Sequence, residues 1–234
     1  MWPRHIALAA IALALAATTR VRAEPPNLNI LDGEAGETEL ELTGFVSTHR
    51  PGDAPGFQFN SEVNHAFTDG FGLQLQLTGF AAGGALHANE LSLQALAKVV
   101  DLPDGGSLGV SAEGVIDPSD GATGVGGLVY GVGQVAGWRA AFNLGGEATT
   151  SGEDAALVYA WSATRVLSDR WSFGFEGGGS SPLRGGEAAE HYAGPALGWR
   201  LGHAGGAPWL RLGWLVGLSR ASPDMVVTGI SASF

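Results

Sequence analysis

The sequence predicts an all-β fold: a closed, antiparallel, up-and-down transmembrane β-barrel of about twelve strands, preceded by a cleaved signal peptide. Three observations carry this reading. Apolar residues recur at every second position through most of the chain, and no segment keeps the 3.6-residue period of a helix. Several alternating segments last about ten residues, the length a tilted strand needs to cross a bilayer, whereas soluble strands more often have five or six. Aromatic rings follow directly on tight polar turns, as in "FTDGF" and "LSDRW".

The first 23 residues are read separately. "MWPRH" carries charge, "IALAAIALALAA" is an apolar run, and "TTRVRA" ends in Val-Arg-Ala. This is the layout of a secretory signal, with cleavage expected after Ala23, and the apolar run is too short to be a membrane-spanning anchor. Removing residues 1–23 takes out Arg4, Arg20 and Arg22 and no acid, which leaves nine basic against 23 acidic residues. A chain this acidic excludes nucleic acid as a partner, because that requires basic patches. The absence of cysteine excludes a disulfide framework and thiolate metal sites. Residues 24–37, polar, acidic and rich in Pro and Gly, read as a flexible lead-in, and residues 38–234 as the barrel domain.

Within the barrel the period of two is regular. Phe57, Phe59, Val63 and Phe67 oppose Gln58, Asn60, Glu62 and Asn64. Phe71, Leu73, Leu75 and Leu77 alternate with Gly72, Gln74, Gln76 and Thr78. Similar alternation covers Asn89–Val99, Ser107–Ile116, Trp138–Glu147 and Trp171–Glu176. Gly124–Gly133 is nearly all Gly and Val, and Pro208–Ser219 places Trp209 on the parity of Arg211, so a bulge near Pro208 would be needed to return that ring to the apolar side. The predicted strands are 38–48, 56–67, 71–82, 89–100, 107–116, 124–133, 138–147, 155–166, 171–180, 190–201, 208–218 and 225–234.

An even strand number, with tight turns at one end and longer loops at the other, is the outer-membrane pattern. Phe71, Trp138 and Trp171 each open a strand after a tight turn, and Phe67 and Trp199 approach such turns from the other side. If these turns share one water boundary, the five rings form an interfacial aromatic belt against outer-membrane lipid. The polar parity then faces the lumen. Its pore-lining candidates are Glu62, Glu113, Glu147, Glu176, Lys98, Arg139 and Arg211. A twelve-strand barrel has a backbone radius of about 12 Å, so the passage is narrow or closed. Two functions fit: a passive channel for small solutes, or a closed structural, adhesive or sensing barrel whose carboxylates pair with Arg and Lys. A soluble periplasmic β protein is a third reading.

Catalytic chemistry finds little foothold. No nucleophile-elbow, zinc-protease or phosphate-loop motif is present. Of the six histidines, His65 alone lies well inside a predicted strand, on the lipid-facing parity with Phe67, and Ser61 is about 13 Å along that strand, too far for a hydrogen bond. An outer-membrane lipid-modifying enzyme is therefore the least supported class. The acidic pairs Asp117/Asp120, Glu153/Asp154 and Glu187/Glu190 match no metal-loop spacing, and no metal or cofactor is expected.

The segments "AGPALGWRLG", "WLRLGWLVGLSRASPD" and "VVTGISASF", with the "FTDGF" and "LSDRW" turns, resemble a bacterial family of transporter-like outer-membrane proteins assigned to a phenol meta-degradation pathway. The resemblance implies export to the outer membrane, a monomeric barrel and passage of small, including aromatic, solutes. It supplies no catalytic residues. The final Phe234 resembles the terminal signal read by the outer-membrane insertion machinery, which would then be a partner during assembly.

Overall fold

The computed structural model describes residues 28, 30, 31, 33–47, 56–82, 85–103, 105–118, 121–152, 154–184, 188–202 and 207–234. The expected signal peptide and its cleavage site lie outside the described residues, as do His5, His49, His203, Asp120, Glu153 and Glu187.

Twelve strands follow in order: β1 (Thr38–Ser47), β2 (Phe57–Thr68), β3 (Phe71–Ala82), β4 (Ala85–Asp101), β5 (Ser107–Ile116), β6 (Thr123–Val135), β7 (Trp138–Thr149), β8 (Ala155–Val166), β9 (Trp171–Arg184), β10 (Glu190–Arg200), β11 (Trp209–Gly217) and β12 (Met225–Ser233). Each pairs antiparallel with its sequence neighbours, and β1 pairs with β12, so the sheet closes on itself. Beyond that seam, Thr38 and Phe234 exchange both backbone hydrogen bonds, at 2.9 and 3.0 Å. We call the end where β1 begins and β12 finishes the terminal mouth, and the opposite end the distal mouth.

The barrel is inside-out relative to a water-soluble protein. On β4, Leu93 is 54% exposed while its neighbour Gln94 is 1% exposed. The same alternation runs round the sheet. Leu42, Val63, Leu75, Leu144, Phe175, Leu212 and Trp214 point outward and lie exposed, and Asn60, Glu62, Gln74, Gln76, Asn143 and Glu176 point inward and lie buried. An exterior of this kind is stable only in hydrocarbon, where every strand amide must also be paired, and closure pairs them.

Four predicted strands are longer in the structure, β6 and β7 by two or three residues and β4 and β9 by more. β4 begins at Ala85 rather than 89, because a bulge opposite Thr78/Gly79 lets the β3–β4 hairpin continue to Ala82↔Ala85. Phe80 stacks on His87 in that extension, 5.3 Å between centroids. β9 runs to Arg184, past the predicted end at 180, with a register shift at Ala155/Ala156. A bulge near Pro208, which could have returned Trp209 to the apolar side, is absent: β10–β11 and β11–β12 keep one register through Trp209. Between β6 and β7 the chain turns on two residues, Ala136 (φ 50°) and Gly137 (φ 79°). Both are left-handed, as a hairpin turn matched to strand twist requires.

The high glycine content has a packing reason. In four register pairs an aromatic ring covers the glycine across from it: Phe59↔Gly79, Tyr130↔Gly109, Phe142↔Gly131 and Trp161↔Gly177. In each pair the ring lies flat over the glycine, so that a Cβ would fall 2.5, 2.1, 2.5 and 2.9 Å from it, respectively. This covers backbone that a glycine would leave bare. Gly109→Ala therefore drives a methyl into Tyr130 and is expected to cost about 1–3 kcal/mol. Gly114→Ala, with nothing within 4 Å, is expected to change stability by less than about 0.5 kcal/mol. Denaturant unfolding of both variants, followed by the mobility shift between folded and heated protein, checks the contrast.

Candidate functional site in the barrel lumen

Strand alternation delivers the polar side chains to the lumen, and register decides which of them meet. All seven pore-lining candidates take inward positions. Glu62 accepts hydrogen bonds from Asn60 Nδ2 at 2.6 Å and Gln74 Nε2 at 3.1 Å. Gln74 also reaches Gln76 Oε1 at 3.3 Å, and Gln94 Nε2 donates to Ser111 Oγ at 2.8 Å. These residues make one wall, from β2 to β5, of buried amides and hydroxyls.

The carboxylates are spread round the interior. Glu41 is the register partner of Glu62 and accepts from Thr43 Oγ1 at 2.8 Å. Glu113 and Glu147 flank Gly126: a Cβ there would lie 3.4 Å from Glu113 Oε2 and 3.3 Å from Glu147 Cγ. With no side chain between them, the two acids approach one another across β6. Glu176 on β9 pairs with Arg211 on β11 at 2.5 Å. The bridge spans the intervening strand, where Gly194 and Gly198 of β10 oppose Glu176 and Arg211 and offer no side chain in the way.

The other cations stand near the terminal mouth. Lys98 bridges Asp101 at 2.9 Å. Arg139 is the second residue of β7, opposite Thr164. Arg200, the last residue of β10, holds its guanidinium 5.6 Å from the Trp209 ring centroid. Among the described residues, the interior thus sets Glu41, Glu62, Glu90, Glu113, Glu147 and Glu176 against Arg211, behind a mouth that carries Lys98, Arg139 and Arg200 beside Glu39 and Asp101.

The sequence reading left one feature open and missed two. Trp209 faces inward, held by Arg200 rather than turned out by a bulge. The lead-in enters the barrel. Leu28 lines a cavity of about 250 Å³ together with Glu41, Ser172, Glu176, Trp209 and Arg211. Leu31 lies over Gly72, where a Cβ would come within 2.7 Å of it. The backbone is fastened by Gly36 N–H to Ala66 C=O (2.7 Å), Ala66 N–H to Glu37 C=O (3.0 Å) and Ala35 N–H to the Asp69 carboxylate (3.1 Å). Lastly, Phe45, Tyr192, Leu215, Met225 and Val227 form an apolar cluster inside the distal half, on the parity read as polar. The only available signal was the presence of large apolar residues on the inward parity of β1, β10, β11 and β12. Only register shows that they meet.

The five belt candidates all lie outward at the terminal mouth. Phe67 and Phe71 stack at 6.0 Å across the β2–β3 turn, and Trp171 and Trp199 at 5.6 Å, nearly parallel, across β9–β10. Trp138 opens β7 opposite Val135. The described histidines engage other groups: His65 Nδ1 bonds Thr38 Oγ1 at 2.8 Å, His87 stacks on Phe80, and His191 Nδ1 bonds Tyr159 Oη at 3.0 Å. Among the described residues no group of three metal-ligating side chains converges.

No family model and no curated protein matches the chain. Solved structures do. The NanC porin superposes with a TM-score of 0.61 at 11% identity, covering 83% of this chain and 98% of that one. A COG4313 outer membrane channel from Pseudomonas putida F1 gives 0.59 at 10% identity, covering 90% and 98%. The KdgM porin gives 0.57 at 12% identity, covering 84% and 99%. At these identities the likeness establishes the shared closed-barrel fold.

The Glu176–Arg211 pair gives a test of the lumen's energetics. Arg211→Ala leaves a buried carboxylate unpaired and is expected to cost about 3–5 kcal/mol, and combining it with Glu176→Gln should recover most of that loss. Urea unfolding of the two variants in detergent measures both.

Proposed function

We propose that this protein is a monomeric outer-membrane barrel that works as a narrow, porin-like channel for small solutes and favours neutral and cationic over anionic ones. The observation that carries the reading is a closed barrel with an apolar exterior and a hydrogen-bonded polar interior, in which six carboxylates face one guanidinium. Fixed charge of one sign in a confined lumen raises the local concentration of the opposite sign. The KdgM porin has been solved in complex with disordered oligogalacturonate, a polyanion, and this interior carries the wrong charge for such a ligand. The channel-type neighbours and the resemblance to transporter-like outer-membrane proteins support passage. Trp209, Leu28 and the distal cluster add apolar surface on which small aromatic solutes can slide.

In this reading the terminal mouth faces the periplasm, where the shorter turns of outer-membrane barrels lie. The rings of Phe67, Phe71, Trp138, Trp171 and Trp199 then sit at headgroup level. Phe234 is the element read by the insertion machinery. The lead-in narrows the periplasmic mouth. No catalytic role is assigned, because the described histidines are committed to Thr38, Phe80 and Tyr159.

A closed, non-conducting barrel is the second reading. It is favoured by the packed β2–β5 wall and by Leu28 in the lumen. Planar-bilayer recording from the refolded protein under a salt gradient separates the two. The expected result is a small conductance with a cation-selective reversal potential, which moves toward zero when Glu41, Glu62, Glu113 and Glu147 are changed together to Gln. Deleting residues 24–33 should raise the conductance several-fold. Anion selectivity would overturn the charge argument, and absence of current from an inserted, folded sample with residues 24–33 removed would overturn the channel.

A further inference from the structure

The outward parity of the twelve strands carries a charged side chain at only two described positions: Arg184, at the distal tip of β9, and Arg165, next to the last residue of β8. Arg165 is exposed and forms no ion pair with a described residue. Its surroundings are specific. Phe173 is its register partner on β9. On the other side Arg139 pairs with Thr164, which brings Trp138 of β7 alongside it. The stacked Trp171–Trp199 pair continues the same rim. An Arg thus interrupts a ring of aromatic side chains at the membrane boundary of an otherwise acidic protein.

Next to Arg165 on the side toward the middle of the barrel, the register places small outward residues among large ones, a short furrow in the outer surface. Its floor is Ala163 and Ala140, which are register partners. One wall is Phe173 and Phe175, packed edge to face at 5.1 Å, with Phe175 across from Ala163. On β7, Trp138 and Phe142 stand on either side of Ala140 along the strand, and Phe142 sits opposite Trp161, which closes the furrow one outward residue beyond Ala163. The furrow is a short apolar depression two alanines across, where larger side chains surround small ones, and it offers room for a segment of one acyl chain. At its head stands a guanidinium, whose planar donors fit a phosphate and whose stem can lie along apolar surface while the charge stays at the interface.

We propose that Arg165 and this furrow form a binding site for one glycerophospholipid of the leaflet at the terminal mouth. The lipid phosphate bonds the Arg165 guanidinium, a segment of an acyl chain lies over Ala163 and Ala140 among the aromatic rings, and Trp138 and Trp171 flank the headgroup. The pairing is of opposite charges at a boundary of intermediate dielectric, where a single cation attracts anionic lipid. The site is independent of the lumen and of whether the barrel conducts.

Native mass spectrometry of the full-length barrel released from detergent, titrated with dimyristoyl phosphatidylglycerol, tests the site. Wild-type protein is expected to retain one lipid, Arg165→Gln to bind it at least tenfold more weakly, and Arg165→Lys to fall between them. Arg184→Gln is expected to bind as wild type does. Ala163→Leu, which fills the furrow and keeps the charge, is expected to weaken the lipid as well, with the heated-versus-folded mobility shift confirming that each variant is folded. Unchanged retention by folded Arg165→Gln overturns the proposal. Equal loss in Arg184→Gln, equal retention of uncharged dimyristoylglycerol, or equal competition by inorganic phosphate at the same concentration also overturns it.

Discussion

The pairing of β1 with β12 is the constraint on which the rest depends. An open twelve-strand sheet would present two rows of unpaired amides, and in hydrocarbon each unpaired group costs several kcal/mol. The nine register pairs from Glu39↔Ser233 to Ser47↔Met225, continued by the Thr38–Phe234 exchange, remove both edges at once. Closure also creates an inside. Once the sheet has a lumen, alternation alone sorts the side chains, and the acidic residues that could not face lipid are gathered where they can be hydrated or hydrogen-bonded.

Glycine and aromatic residues divide the work on that sheet. A barrel this small bends its strands strongly, and bulky side chains on every position would crowd the concave face. Glycines at 109, 126, 194, 198 and 213 leave room there. They allow Tyr130 to lie across β5, Glu113 and Glu147 to flank β6, and Glu176 to reach Arg211 over β10. On the convex face the same substitution leaves bare backbone, and Phe59, Phe142 and Trp161 cover it. Glycine content that looks permissive in the sequence is, at these positions of the folded chain, matched to a ring or a charged side chain.

The lumen is asymmetric as a result. One side, from β2 to β5, is a solid hydrogen-bonded wall. The other, from β8 round to β1, keeps the cavity that Leu28, Trp209 and Arg211 share. Apolar and charged groups are thus available on the same path. Lys98, Arg139 and Arg200 at the mouth stand in front of a mostly acidic interior, so charge of both signs lies along a short length of the lumen.

Much of this was legible in the sequence because the signal was local. Phe71, Leu73, Leu75 and Leu77 against Gln74 and Gln76 declare a strand with one apolar face, and twelve such segments with turns between them place every strand end to within four residues of its observed position. The inward parity of Glu62, Glu113, Glu147 and Glu176 follows from the same alternation. What the sequence determined by itself is therefore the strand, its length and its two faces, because side chains alternate with a fixed period of two along any extended backbone. Only the tertiary structure decided which inward groups meet. That Trp209 turns in under Arg200, that Glu176 finds Arg211 across a glycine strand, that Phe45 joins Met225 and Tyr192, and that Leu28 enters the bore all depend on register and closure. Those relations join residues far apart in the chain, and no local pattern encodes the distance between them.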